Sequence, residues 1–315
     1  MKKLLTTKAA AKILGVHPVT LRRWDRSGKL KAIRNRFNNY RLYNESEIKE
    51  LMITPTKIFM EDMDEKQNKV NKLPLNQIIL GDTIKEMKKF PSASIDLIFA
   101  DPPYNLSQSN FKIKFIKSGG KDLDTNKGRW DEFKGNDFET FTQKWLKECF
   151  RLLKEKGSIW VAGTYHNIYL TGYLMRKMGF EILNEILWHK SDATPNLSCT
   201  RFVADHENFI WARKGKKHTF NYNIMKEMNN GKQMRSLWTR GKTAGGKKIH
   251  PTQKPEWLLE RIILSTSNEG EVVFDPFIGS GTTAVVAKRL NRNYIGTEID
   301  KKYYKQAVIR INKRI

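Results

Sequence analysis

The tetrapeptide Asp101-Pro102-Pro103-Tyr104 is the first segment whose residue types suggest chemistry. It directly follows the apolar run IDLIFA, and ligands bind at the carboxyl ends of strands in open α/β sheets. The two prolines restrict the backbone and hold the Asp101 carboxylate, the Pro102 carbonyl and the Tyr104 ring together. Two acceptors suit the two hydrogens of an exocyclic base amine, whose lone pair they would orient towards a methyl donor. Tyr104 would stack on a base flipped out of a duplex.

A glycine turn nearer the C-terminus is the second candidate site. EVVFDPFIGSGTT predicts a strand and a turn in which Gly279 and Gly281 allow close approach of a ligand to the backbone. Glu298 closes the next strand about 20 residues later, a position that suits a ribose diol. The fuller G-x-G-x-x-G spacing is missing, which favours a nucleoside such as S-adenosylmethionine over a pyrophosphate. The alternative is a tight turn whose glycines only serve packing.

The charge of the chain favours a polyanionic partner. Among 315 residues, 58 are Lys or Arg and 33 are Asp or Glu, which gives a net charge of +25. Nucleic acid is the commonest partner of so basic a protein, although a lysine-rich proteome is an alternative explanation.

Two cysteines, Cys149 and Cys199, exclude a disulfide framework and a zinc ribbon. His166 and His189 have no second ligand at a usable spacing, so we predict no metal site.

Residues 1 to 52 predict a small helical unit that binds DNA. TTKAAAKILGV fits a short helix, and a second helix starting at His17-Pro18 would bury Leu21 and Trp24. A helix, a turn and an arginine-faced helix form the helix-turn-helix pattern, and Asn38-Asn39 would turn a basic hairpin behind it. The outward-facing arginines are Arg22, Arg23 and Arg26. A small helical cap with solvated arginines is the alternative.

The remaining chain predicts a linker over residues 53–73 and an α/β domain over residues 74–315. Short apolar strands alternate with helices there, including one predicted helix over residues 137–157. Residues 191–249 are expected to be irregular, basic and responsible for target recognition. The basic residues of that region are Arg201, Lys214, Lys216, Lys217, Arg235, Arg240, Lys247 and Lys248, interleaved with Phe220 and Trp238. Contact with phosphate or water alone is the alternative for these side chains.

Two family resemblances follow from these motifs. VHPVTLRRWDRSGKL followed by YRLY resembles the MerR and excisionase-type winged helix-turn-helix domains. DPPY upstream of FDPFIGSGTT resembles the amino-methylating DNA methyltransferases, in the permuted motif order of their β group. GSIWVAGTYHNIY, DHENFIWARK and HPTQKPEWLLERII are similar to adenine methyltransferases of the cell-cycle-regulated and HinfI type, which modify GANTC.

The second resemblance implies a Rossmann-like S-adenosylmethionine-dependent methyltransferase sheet, preceded here by the small winged helix-turn-helix domain. Asp82 would lie near the cofactor adenine, and residues 250–254 would cover its methionine end. The implied catalytic residues are Asp101, Pro102, Pro103 and Tyr104. The implied cofactor-binding residues are Asp82, His250, Thr252, Gln253, Lys254, Asp275, Pro276, Phe277, Gly279, Ser280, Gly281, Thr282 and Glu298. The expected DNA-binding residues are Arg22, Arg23, Arg26, Arg201, Arg235 and Arg240.

The implied activity is transfer of a methyl group from S-adenosylmethionine to the N6 amine of a flipped adenine in double-stranded DNA. Methylation of cytosine N4 is an alternative, although Asp101 in place of serine favours adenine. A transcriptional regulator with a non-catalytic methyltransferase domain is another. The resemblance further implies a bacterial or phage-encoded cytoplasmic protein, a homodimer and a cognate restriction endonuclease. We expect the N-terminal unit to replace the C-terminal DNA-binding segment of the GANTC enzymes, which leaves the target sequence open.

Overall fold

A computed structural model describes residues 4–14, 18–28, 30–35, 38–53, 72–104, 112–113, 123–124, 137–193, 195–196, 199–241 and 253–313. The chain divides into two compact units, Met1–Asn71 and Lys72–Ile315. Among the helices of these ranges, none combines the length and the apolar character that crossing a membrane requires.

The N-terminal unit packs three helices on a small antiparallel sheet. The central strand of this sheet pairs with a strand on either side, in the order β1-β3-β2. The first strand was not predicted, whereas the first two helices and the hairpin were. The elements are β1 (Leu4–Thr6), α1 (Thr7–Ile13), α2 (Pro18–Ser27), β2 (Ile33–Arg34), β3 (Arg41–Asn44) and α3 (Glu45–Ile53).

Side-chain contacts explain how this unit closes on itself. Leu21 and Trp24 lie on the inner face of α2 and are buried, as predicted. The Tyr43 hydroxyl donates to the Leu21 carbonyl at 3.1 Å, which joins β3 to α2. The Asp25 carboxylate accepts from the guanidinium groups of Arg34 and Arg41, one on each strand of the hairpin. The hairpin is therefore fixed against α2 by both apolar and ionic contacts.

The C-terminal unit alternates strands and helices, and the predicted α/β class is confirmed. Its first half contains β4 (Gln77–Leu80), α4 (Thr83–Met87), β5 (Ile95–Ala100), β6 (Lys112–Ile113), β7 (Leu123–Asp124), α5 (Asp137–Leu152), β8 (Leu153–Gly163) and α6 (Ile168–Lys177). Its second half contains β9 (Glu181–His189), β10 (His206–Arg213), α7 (Tyr222–Met228), β11 (Leu237–Thr239), α8 (Glu256–Thr266), β12 (Val272–Asp275), α9 (Thr282–Arg289), β13 (Asn293–Glu298) and α10 (Lys301–Lys313).

Eight strands form one sheet in the order β11-β9-β10-β8-β5-β12-β13-β4. The strands from β8 to β4 in this order pair in parallel, whereas β10 runs antiparallel to both β8 and β9. Because β5 and β12 are parallel neighbours, the segments that follow them leave the sheet at the same edge. The topology therefore brings Asp101 and Pro276 together although they are distant in sequence.

The core lies on both faces of this sheet. Leu97 and Phe99 of β5 belong to the cluster that includes α8 and α9, and Ile98 belongs to the cluster that includes α5 and α6. Such a strand is buried on both faces, which explains the continuous apolar run IDLIFA.

The two cysteines differ in exposure. Cys149 is buried in α5, where burial raises the pKa of its thiol, and Cys199 is exposed.

Two predictions about individual elements are wrong, and one helix was not predicted. The region 191–249 is not irregular throughout, since β10, α7 and β11 lie within it. The helix predicted over residues 137–157 ends at Leu152, because the next residues pair with β5 as the start of β8. The helix α10 was not predicted, and its buried Ala307 and Ile311 pack on the larger core cluster.

Candidate active site

A cavity of about 290 Å3 lies at the carboxyl ends of β5, β12 and β13. All four residues of the DPPY motif line it, together with the turn that follows β12 and with Glu298 at the end of β13. The two motifs singled out in the sequence therefore share one cavity. Parallel pairing of β5 with β12 and of β12 with β13 is what brings them together.

The Asp101 carboxylate is the most heavily hydrogen-bonded group in this cavity. The Tyr104 hydroxyl donates to Oδ1 at 2.5 Å, so the first and last residues of the motif bind each other. The Lys254 ammonium reaches Oδ1 at 2.8 Å and Oδ2 at 2.7 Å. These donors therefore hold the orientation of the Asp101 carboxylate. Tyr104 is itself buried.

Lys254 connects Asp101 to a second buried carboxylate, Glu207 on β10. Its ammonium lies 3.2 Å from the Glu207 Oε2, and Lys190 lies 2.6 Å from the Oε1 of the same carboxylate. Burial would lower the pKa of Lys254, but the carboxylates of Asp101 and Glu207 outweigh it and raise that pKa. Burial would likewise raise the pKa of Glu207, yet Lys254 and Lys190 hold it below its usual value. Lys254 and Glu207 therefore both keep their charges.

The glycine turn is shaped by backbone contacts. The Gly279 N–H donates to the Glu298 Oε2 at 3.0 Å, which ties the turn to the end of β13. Gly281 has a φ of +78°, and a Cβ there would lie 3.0 Å from the Cβ of Ala307 in α10. Gly281 does not line the cavity, so its contribution is to the path of the backbone.

Two carboxylates of the turn region have raised pKa values. Burial raises the pKa of Asp275 to about 7, although the Thr283 hydroxyl and the Phe277 N–H donate to its carboxylate. The pKa of Glu298 is also raised by burial, against the effect of the backbone N–H groups of Asp300 and Gly279. Asp275 therefore holds a proton at much higher pH than an exposed aspartate does.

The other predicted cofactor-binding residues are placed as follows. Asp82 lines the cavity, and its side chain caps α4 by accepting from the Lys85 N–H at 2.9 Å. Lys254, predicted to cover the methionine end, lines the cavity with its ammonium held by Asp101 and Glu207. His250 and Thr252 lie outside the described residues. The remaining residues of this set that line the cavity are Gln253, Asp275, Pro276, Phe277, Gly279, Ser280, Thr282 and Glu298.

The predicted DNA-binding residues lie at the surface wherever they are described. Arg22 and Arg26 are exposed on α2, and the side chain of Arg23 lies outside the described residues. Arg201, Arg235 and Arg240 are exposed as well. The expectation that Trp238 faces a duplex is wrong. Trp238 is 6% exposed, because it is the residue of the edge strand β11 whose side chain turns into the core and packs on Trp160.

Sequence reasoning missed two residues that support the site. Glu207 precedes the buried part of β10, a strand that was itself not predicted. Arg310 of α10 is buried and donates to the Ser280 carbonyl at 3.1 Å and to the Thr282 hydroxyl at 2.9 Å. Glu207 lies in the DHENFIWARK segment that carries the family resemblance and Arg310 lies in no quoted motif, and only the tertiary contacts show what either side chain does. Within the ranges that the structure describes, no group of acidic, His or Cys side chains could hold a metal ion.

Comparisons with known proteins agree with this geometry. A family model described as "DNA methylase" matches residues 95–309, and one described as "MerR family regulatory protein" matches residues 6–43. The Type II methyltransferase M.HinfI of Haemophilus influenzae is 46% identical over 252 residues, which cover 76% of this chain and 69% of that protein. The Type II methyltransferase M2.DpnII of Streptococcus pneumoniae is 46% identical over 241 residues, which cover 74% of this chain and 88% of that protein.

Solved structures share the fold. The crystal structure of the M1.HpyAVI-SAM complex is 28% identical with a TM-score of 0.57, over 75% of this chain and 98% of that chain. The PvuII DNA methyltransferase, described as cytosine-N4-specific, is similar in fold with a TM-score of 0.61, at 19% identity over 74% of this chain and 85% of that chain. From the extent of the family match and the identity to the two Type II methyltransferases, we conclude that this chain belongs to the N6/N4 DNA methylase family.

Proposed function

We propose that the protein transfers a methyl group from S-adenosylmethionine to the exocyclic N6 amine of an adenine in double-stranded DNA. The observation that carries this proposal is the shared cavity. It places the Asp101 carboxylate beside a glycine turn and a strand-end carboxylate, Glu298. A base amine and a nucleoside that donates a methyl group are the two ligands these groups suit.

The catalytic residues of the proposal are Asp101, Pro102, Pro103 and Tyr104. The delocalised lone pair of an adenine amine makes it a poor nucleophile, so orientation and hydrogen bonding must contribute much of the rate enhancement. Asp101 would accept one amine hydrogen, and the Pro102 carbonyl the other. Each carboxylate oxygen can accept two hydrogen bonds, and the Asp101 Oδ2 accepts from Lys254, so the same oxygen can also accept from the amine. Glu207, 3.2 Å from the Lys254 ammonium, helps to hold that ammonium in place.

The cavity suits S-adenosylmethionine by its donors and acceptors. Glu298 and Asp82 supply carboxylates at strand ends for hydroxyl and amine groups, and Phe277 and Ile278 supply apolar contacts. When bound, this cofactor supplies an electrophilic methyl group. The chain itself would bind and orient it through the turn, whose Ser280 and Thr282 are fixed by Arg310.

Methyl transfer to unmethylated genomic DNA tests the proposal directly. We expect labelled methyl from S-adenosylmethionine to appear as N6-methyladenine within one short sequence motif, as identified by nucleoside analysis and single-molecule sequencing. Asp101→Ala should lower the rate by at least about 100-fold, because it removes the acceptor that orients the amine. Binding of S-adenosylmethionine to the variant, measured by calorimetry, serves as the folding control.

Other products would change the assignment. N4-methylcytosine in place of methyladenine would contradict the base assignment while leaving the reaction type intact. No transfer by the wild type, combined with cofactor-independent binding to a specific duplex, would replace the enzyme by a DNA-binding regulator.

We further propose that residues 1–52 form a winged helix-turn-helix DNA-binding domain, joined by a linker over residues 53–73 to a methyltransferase domain over residues 74–315. The MerR match over residues 6–43 and the exposed Arg22 and Arg26 on α2 support this. A recognition helix places such side chains in the major groove. The relatedness to Type II methyltransferases supports a cognate restriction endonuclease as a partner, and a homodimer remains part of the proposal.

A further inference from the structure

A second cleft, of about 750 Å3, lies between α7, β11 and α8. Three of its lining residues are cationic, Lys232, Arg235 and Arg261, and none of its lining residues is acidic. The amides of Asn229 and Gln233 add further polar groups. A cleft with this lining is suited to an anion, and Arg261 had no place in the sequence-based predictions.

Arg261 is held in this cleft by two indole rings. Its guanidinium lies 4.8 Å from the ring centre of Trp238 and 5.4 Å from that of Trp257. Its Nε is buried and has no hydrogen-bond partner among the residues that the structure describes. A guanidinium stacked in this way keeps its donors in a fixed plane, which is the geometry that a phosphate accepts.

A second guanidinium, that of Arg240, shares the Trp257 ring at 5.3 Å. Trp257 is itself held by an edge-to-face contact with Trp188. The Arg240 backbone is fixed at both ends, since its N–H donates to the His189 carbonyl and its carbonyl accepts from the Trp188 indole. Both cations therefore contact the same ring of a rigid aromatic support.

No carboxylate among the described residues neutralises this pair by an ion pair. Both acidic residues of α8 are engaged elsewhere, Glu256 with Arg289 and Arg310, and Glu260 with Arg289. Burial, with a contribution from the charge of Arg240, lowers the pKa of Arg261. Two guanidiniums without a carboxylate partner among the described residues, both against the Trp257 ring, favour the binding of an external anion.

We propose that Arg261 binds a backbone phosphate of the DNA duplex, with Lys232 and Arg235 in the same cleft and Arg240 on the neighbouring Trp257 ring adding positive charge. This inference rests on the proposed function, because it takes duplex DNA as the ligand. The strand β11 runs parallel to β9 and, through the antiparallel β10, in the same direction as β5. Arg240, which follows β11, therefore lies at the same edge of the sheet as Asp101. The contact would position the duplex without reading its sequence.

Salt-dependent binding of the full-length chain to a duplex tests this inference. We would measure affinity by fluorescence anisotropy between about 50 and 300 mM salt, a sixfold range, for the wild type, Arg261→Met and Arg261→Lys. Methionine keeps an apolar side chain against the two rings and removes the charge. We expect Arg261→Met to lower affinity about tenfold and to reduce the slope of log K against log salt by about 0.9, the value for one phosphate. Arg261→Lys should keep the slope. Arg176→Met, which removes an exposed arginine of α6, is the matched control and should also keep it.

Three results would overturn the inference. One is a slope for Arg261→Met equal to that of the wild type. Another is an equal loss of slope in Arg176→Met. The third is a loss of binding to inorganic phosphate, measured as a thermal shift, without any change in duplex binding, which would assign the cleft to a free anion. Calorimetric binding of S-adenosylmethionine controls for folding of each variant. Duplex binding and methyl transfer by the wild type test the proposed function. The differences between the variants and the wild type test only the Arg261 contact.

Discussion

At the scale of single residues, the site is governed by buried charge. Asp101 and Glu207 are compensated by Lys254 and Lys190, whereas Asp275 is buried with only neutral donors, the Thr283 hydroxyl and the Phe277 N–H. This difference explains why the pKa of Glu207 is lowered and that of Asp275 is raised. A buried carboxylate without a cation favours its protonated form.

Asp275 therefore makes stability depend on pH. Its pKa is about 7 in the folded chain, against 3.8 for an unperturbed aspartate, so the folded state binds the proton more tightly than the unfolded chain does. The resulting stabilisation is complete below the unfolded pKa and is lost as the pH rises through the folded pKa. Between pH 5.5 and 8, we expect the unfolding free energy of the wild type to fall by about 2 kcal/mol relative to Asp275→Asn.

Urea unfolding at several pH values checks this expectation. Asp137→Asn, which replaces an exposed carboxylate at the start of α5, is the control and should parallel the wild type. Parallel curves for the wild type and Asp275→Asn would show that the proton is not held at Asp275.

The catalytic motif could be predicted from sequence because its four residues are contiguous and follow an obvious strand. The ion pairs that link Asp101 through Lys254 to Glu207 could not. Lys254 and Glu207 come from segments far from the motif, and only the pairing of β10 with β8, and of β8 with β5, brings Glu207 near it. An ion pair between distant segments leaves no local pattern in the sequence.

At the scale of elements, the turn between β12 and α9 depends on its packing against α10. Gly281 and Gly231 have nearly the same positive φ, +78° and +77°. A Cβ at Gly231 would meet nothing within 4 Å, whereas one at Gly281 would meet Ala307 at 3.0 Å. Comparing the stability costs of alanine at these two positions therefore separates the cost of backbone strain from the cost of a steric contact.

We expect Gly231→Ala to cost about 1 kcal/mol of stability, the strain of a left-handed alanine, and Gly281→Ala to cost at least about 2 kcal/mol. Affinity for S-adenosylmethionine should fall only in Gly281→Ala, because that substitution displaces the turn. Denaturant titration and calorimetry measure the two effects. Equal losses of stability at both positions would mean that α10 shifts to accommodate the added Cβ at no energetic cost.

Most strands and helices follow from local pattern, and the exceptions have physical reasons. The strand β10 is buried along most of its length, so HENFIWAR lacks the alternation that marks a half-exposed strand. In α10, lysines and tyrosines surround the buried Ala307, Arg310 and Ile311, so the apolar face is narrow. Arg310 is buried there because its partners, Ser280, Thr282 and Glu256, come from other elements.

At the scale of the whole molecule, the net charge of +25 makes binding to DNA dependent on salt. Composition predicts this salt dependence, but it does not predict which cationic side chains contact phosphate. Two compact units each carry exposed arginines, on α2 in the first and near β11 in the second. Substitutions in one unit at a time can therefore assign the contacts.

For the N-terminal unit, we expect the double substitution Arg22→Gln/Arg26→Gln to raise the KM for DNA about tenfold and to leave kcat at saturating DNA unchanged, since α2 lies outside the catalytic cavity. The pair Arg176→Gln/Lys177→Gln removes the same charge from exposed positions of α6 and should change neither constant. Steady-state methyl transfer over a range of DNA concentrations gives both values. Identical KM values for the two double variants would remove α2 from the DNA interface.

The contrast between the two cysteines has a practical consequence. Cys149 is fully buried, with a raised thiol pKa, whereas Cys199 is exposed in the segment between β9 and β10. Thiolates react and thiols do not, so a maleimide dye should attach to Cys199 of the native chain and spare Cys149. The wild type thus has a single natural labelling site, two residues from Arg201. A fluorophore there could report the association and dissociation of a duplex without any engineered cysteine.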